Sequence, residues 1–84
     1  MAINTADLKE QVRRVFKKEF PEDTVDVSED EHSHLQVLVV SRRFDEIGDK
    51  QKLDWLWSIA RDGLKKTQLR RISLLLGYSP QERL

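Results

Sequence analysis

The apolar pattern of this chain predicts an α+β domain with helices on one face of a three-stranded sheet. Three observations carry that prediction. Apolar residues recur at helical spacing over 8–20, two period-2 runs (24–28 and 35–41) are separated by a short polar connection, and a second helical stripe over 53–64 is followed by an apolar run at 72–76. The expected order is helix, strand, strand, helix, short helix, strand, short helix. Eighty-four residues suit one domain spanning 1–84, because chains of this size bury only about 60–65 % of their unfolded surface and cannot support two cores.

The first helix is set by Leu8, Val12, Val15, Phe16 and Phe20, which recur at steps of four, three, four and four and so line one face. Asn4 or Thr5 can cap it and Pro21 stops it. Lys9, Arg13, Arg14, Lys17 and Lys18 take the remaining positions, as a solvated helix surface would. In "TVDVS" (24–28) Val25 and Val27 face inward on a short strand. "LQVLVVS" (35–41) places Leu35, Val37 and Val39 on one face and Leu38 and Val40 on the other, which predicts a central strand partly covered on both sides. The segment between these runs, with its acids and two histidines, is then a hairpin connection.

Residues 42–49, "RRFDEIGD", lack a period and read as a loop. A second helix over about 50–61 follows from Leu53, Leu56, Trp57, Ala60 and Leu64, with Trp55 and Ile59 widening the stripe. Gly63 is a cap or break before a further helical turn. In "RRISLLLG", Ile72, Leu74 and Leu76 alternate with Ser73, Leu75 and Gly77. The connection from the second strand is long enough for a crossover, so this third strand can run parallel to a neighbour. Ser79 and Pro80 are suited to start a final helical turn.

Fifteen basic and fifteen acidic side chains cancel, which argues against a strong non-specific grip on nucleic acid. The distribution is uneven. Residues 19–31 hold seven acids and no Lys or Arg, whereas residues 41–71 hold nine bases against five acids. The N-terminal "MAINTADLKEQ" has no apolar signal core and the longest apolar run, "VLVV", cannot span a bilayer, so a cytoplasmic location is expected.

Catalytic constellations are scarce. There is no cysteine, no GxSxG, no phosphate-cradling glycine loop and no HExxH, and an enzyme is not expected. The acids of 19–31 lack the spacing of a calcium loop. His32 and His34 stand one residue apart before the second strand; in an extended segment they would project to one side and could converge on a metal, but two imidazoles do not complete a site. Arg42, Arg43, Lys65, Lys66, Arg70 and Arg71 cluster around the second helix and its flanks and are the candidates for nucleic-acid contact. At helical core spacing Trp57 is read as packing, with the role of Trp55 open.

Taken in order, the motifs resemble the BolA-like family, whose members have a type II KH-like fold. "TVDVSEDEH" resembles the family's first strand followed by a Ser and a His, and "SHLQVLVVS" its "SHF-x-V-x-VVS" second strand. Phe44 with Gly48 is similar to its "F-x-G" loop, "KQKL" at 50–53 stands where the family writes Arg-His-Arg-Leu, and "LLGYSPQE" is similar to its last strand and Thr-Pro-Glu-Glu ending. The resemblance implies a non-enzymatic accessory protein of iron–sulfur or stress-response physiology. It would have no cofactor of its own and would share a two-iron two-sulfur cluster with a monothiol glutaredoxin; some members are instead DNA-binding transcription regulators. Nine residues before Pro80, the family's C-terminal ligand histidine falls on Arg71, a permanent cation that cannot bind iron. The chain therefore reads as a divergent member lacking that ligand, with His32 in the loop that supplies the second ligand and His34 matching the strand-entry histidine. KH-type binding of single strands uses a GXXG loop, and none occurs here.

Overall fold

A computed structural model describes residues 5–81. They form α1 (Thr5–Glu19), β1 (Thr24–Glu29), β2 (Leu35–Val40), α2 (Asp49–Gly63), α3 (Lys66–Leu69) and β3 (Ile72–Tyr78). The order matches the sequence expectation. The capping side chains of Asn4 and Thr5 lie outside the described residues; of the final helical turn expected to start at Ser79 and Pro80, Pro80 and Gln81 form a turn and the rest lies outside the described residues. Residues 42–49, expected as loop, open with a single 3-10 turn at Arg42–Phe44, capped by the Ser41 hydroxyl, which accepts from the Arg43 N–H at 3.0 Å.

Leu8, Val12, Phe16 and Phe20 are fully buried, so the α1 stripe is the core face that its spacing predicts. The Phe20 N–H still bonds the Phe16 carbonyl at 2.9 Å, after which Pro21 has no N–H to continue the ladder. The Lys17 ammonium donates to the Asp23 carbonyl and ties the turn into β1 back to the helix.

The sheet order is β1-β2-β3, with β1 antiparallel and β3 parallel to β2. Val25 pairs with Val39 and Val27 with Val37 on the face beneath α1 and α2. β2 is central, as its pattern predicts, and its outer face is partly covered: Leu38 and Val40 are half-buried, with the exposed Thr24, Asp26, Ser28, Gln36, Leu74 and Leu76 around them. One expectation is corrected here, because the alternation in β3 breaks. Leu35 pairs with Ile72 but Gln36 pairs with Leu74, leaving Ser73 as an extra residue whose hydroxyl donates to the Leu35 carbonyl at 3.3 Å. A one-residue bulge reverses the facing of everything beyond it. Ile72, Leu75 and Gly77 are therefore buried, while Leu74 and Leu76 are exposed.

The stripe of α2 is rotated from the predicted one. Lys52, Leu56 and Ala60 are buried, and Leu53 is 44 % exposed. Lys52 fits because its alkyl stem lies against Gly77, where an added methyl would come 3.1 Å from its Cγ and Cδ. Its ammonium, 3.5 Å from Asp49, sits 5.9 Å from the ring centres of both Phe44 and Tyr78. At the other end of α2, a methyl on Gly63 would fall 2.5 Å from Val15 Cγ1, so a glycine permits the close crossing of α1 and α2.

Candidate functional site

The His32–His34 segment is a five-residue hairpin loop closed by Asp30. The Asp30 N–H donates to the His34 carbonyl at 2.8 Å, and its Oδ1 accepts from the backbone N–H groups of His32 and His34, each at 2.9 Å. This is the local bonding that makes Asp a turn residue. The backbone bond from His34 is the main reason the Asp30 carboxyl titrates below the ordinary carboxylate range; that from His32 adds to it, while desolvation opposes both.

Ser33, between the histidines, has φ 63°, in the left-handed region. The histidines therefore do not occupy consecutive positions of an extended strand, and the expectation that they project to one side because of strand alternation does not apply. Both are exposed, and the His34 Nδ1 stands 3.9 Å from Asp30 Oδ2, beyond hydrogen-bond reach. Among the described residues no group of three or more His, Cys, Asp or Glu is arranged to hold a metal ion.

Arg71, directly before β3, reaches this loop. Its Nη2 and Nε donate to the Ser33 carbonyl at 2.7 and 3.2 Å, and its own carbonyl accepts from the Leu35 N–H at 2.6 Å. Parallel pairing of β2 with β3 brings residues 38 positions apart into contact. The hairpin carrying His32 and His34 is thus joined to the start of β3 by the Arg71 guanidinium, which clamps the turn.

The basic candidates divide into two groups. Lys65, Lys66 and Arg70 are exposed around α3, next to Arg71 at the start of β3. Arg42 and Arg43 follow β2 at its opposite end, about 20 Å away for six residues of strand. Arg43 is engaged in the fold: its guanidinium lies 4.9 Å from the Phe20 ring centre and 4.7 Å from that of Trp55, and it donates to the Glu19 carbonyl at 2.7 Å and to Glu19 Oε1 at 3.1 Å. Trp55 in turn packs against Phe20 and Phe44, with ring centres 5.2 and 5.5 Å apart, while Trp57 is half-buried against the core. The roles of Asp30, Arg43 and Arg71 were not assigned from the chain alone. Only Asp30 had a local signal, an Asx residue opening a hairpin loop; the other two act across 24 and 38 positions.

No helix among the described residues is long and apolar enough to cross a membrane. No protein-family model matches the chain, and no curated protein matches it. Among solved structures, the NMR structure of a BolA-like hypothetical protein from Rickettsia prowazekii superposes with a TM-score of 0.64 at 17 % sequence identity, over 94 % of this chain and 97 % of that one. With the element order and mixed sheet described above, this shows that the chain has the α+β fold of a BolA-like protein.

Proposed function

We propose that this chain is a divergent BolA-like accessory protein of the cytoplasm, acting in iron–sulfur or stress-response physiology by contact with a monothiol glutaredoxin and not by catalysis. One observation carries the reading. In a BolA-like fold, the β1–β2 hairpin and the residue before β3, the two places where the resemblance puts cluster ligands, touch through Arg71 and the Ser33 carbonyl. A two-iron two-sulfur cluster does not find a complete ligand set here. Arg71 has no donor lone pair, and the exposed His32 and His34 are the imidazoles among the described residues, so a shared cluster would take its remaining ligands from the partner.

Two titrations separate the levels of this proposal. Calorimetry with apo monothiol glutaredoxin tests the contact, and visible absorption and circular dichroism with the cluster-loaded form test the sharing. The expected result is a spectral change that His32→Ala removes. Binding without a spectral change would refute cluster sharing, and no binding to either form would refute the accessory reading.

A second reading, nucleic-acid contact by a transcription regulator, is favoured by the exposed group Lys65, Lys66 and Arg70 at one end of the molecule. Binding to a DNA oligonucleotide should then weaken steeply as salt rises, because phosphate contacts release counterions. Lys66→Ala should lower affinity across sequences alike, and no binding at low salt would exclude it.

A further inference from the structure

We propose that the free edge of β3, with the apolar surface beside it, is a self-association surface on which a second copy of this chain pairs its own β3 in antiparallel fashion. The two edges of the sheet differ in the features that prevent strand addition. β1 carries Asp26 and Glu29, and its outward residues Thr24, Asp26 and Ser28 are polar and exposed. β3 runs seven residues, Ile72–Tyr78, with no charge and no proline, and its far side has no paired strand among the described residues. Edge strands are ordinarily blunted by charges, proline or bulges that turn them away. The bulge in β3 faces β2 and leaves the far edge unprotected.

Apolar side chains continue from that edge over the outer face. The register sets Leu76 beside Leu38 and Leu74 beside Gln36, and Leu74 and Leu76 are 39 % and 36 % exposed. Leu53 of α2 extends the same surface around the edge, in a groove that Asp49 and Tyr78 also line.

The occupant follows from symmetry and charge. A two-fold axis through Leu75, the midpoint of Ile72–Tyr78, pairs Leu74 with Leu76 of the second copy, and Leu76 with its Leu74. All four point to the outer face, so they join into one apolar row. The same axis carries the exposed Arg70, just before β3, toward the end of the second copy's strand, where its Asp49 is fully exposed. Base meets acid twice. A parallel pairing would instead place Arg70 beside Arg70. One strand edge and its groove bury less than the roughly 1,000 Å² that a durable interface needs, so the dimer is a weak one that forms with concentration.

Sedimentation velocity on the wild-type protein should show the average mass rising from monomer toward dimer between roughly 10 µM and 1 mM. Leu76→Lys, which puts a lysine into the apolar row at an exposed site, should abolish the rise, while Ser28→Lys on the β1 edge should leave it unchanged. Arg70→Glu and Asp49→Arg should each weaken association, since each sets like charges together at both ends of the pairing. Mixing the two variants should restore it, because only the heterodimer has opposite charges at both ends. Circular dichroism of each variant alone confirms that it folds. A wild-type mass that stays monomeric to 1 mM, a rise that survives Leu76→Lys, or a mixture no better than its components would overturn the proposal; the first of these would leave the edge to a different partner.

Discussion

Replacing Arg43 with alanine tests whether this arginine belongs to the fold or to a binding surface. Its guanidinium lies over two rings, at 4.9 and 4.7 Å, and donates to the Glu19 carbonyl at 2.7 Å. Cation–π contacts at exposed positions are worth about 0.5–1 kcal/mol each, and a charge-assisted bond to a carbonyl about 1.5 kcal/mol. The ion pair with Glu19 adds little, because both side chains are nearly half exposed and such pairs contribute about 0.5 kcal/mol. Water takes up part of what is lost, so the net destabilisation should be about 2 kcal/mol. Urea unfolding reads it directly: with a slope near 1 kcal/mol/M for a chain of this size, the midpoint should fall by about 2 M. Glu19→Gln removes only the ion pair and should cost under about 0.5 kcal/mol. If Arg43→Ala shifts the midpoint no more than Glu19→Gln does, the clasp between the end of α1 and α2 is not a stabilising feature, and Arg43 returns to the pool of free surface cations.

Three further outcomes are expected. Because the Asp30 carboxyl is held below its ordinary range, the stability it supplies is present above the unfolded-state pKa and is lost as pH falls through the folded one. The stability gap between wild type and Asp30→Ala in urea melts should accordingly be constant near neutrality and narrow in acid, below about pH 4; a gap that widens on acidification would contradict the turn geometry. Gly63→Ala should destabilise by about 1–3 kcal/mol, because its methyl falls 2.5 Å from Val15 Cγ1, and a non-additive recovery in the double variant with Val15→Ala, seen by thermal unfolding, would locate the clash. Leu56→Ala should cost about 2–4 kcal/mol and Leu53→Ala under about 1 kcal/mol, since Leu56 is 1 % exposed and Leu53 44 %; similar losses would mean that the facing of α2 is wrong.

Much of the fold was legible in local periodicity. The α1 stripe from Leu8 to Phe20, the alternation in β2, the break at Gly63 and the parallel return of β3 can each be read from spacing, because each depends on neighbours within a few positions and on a connection long enough for a crossover. The failures have a common cause. Leu53 and Lys52 occupy adjacent positions on α2, and hydrophobicity favours Leu53 for the core. The structure instead buries the lysine stem against Gly77, and that choice depends on β3 passing beneath α2. The candidate site was legible only as an inventory: His32, His34 and the basic residues were named, while Asp30 as the organiser of the turn and Arg71 as its clamp were not.

The chain by itself determined which segments are helix and strand, their order, the absence of thiolate chemistry and the resemblance to the BolA-like family. Tertiary structure decided what periodicity cannot carry. The extra Ser73 in the register with β2 turns Leu74 and Leu76 outward, and the parallel pairing sets Arg71 on the Ser33 carbonyl. The length of β2 places Arg42 and Arg43 at the far end of the sheet from Lys65, Lys66 and Arg70. Each is a contact or a separation between positions distant in the chain. Local spacing says which side chains share a face, but only the packed sheet decides which face meets the core and which residues meet each other.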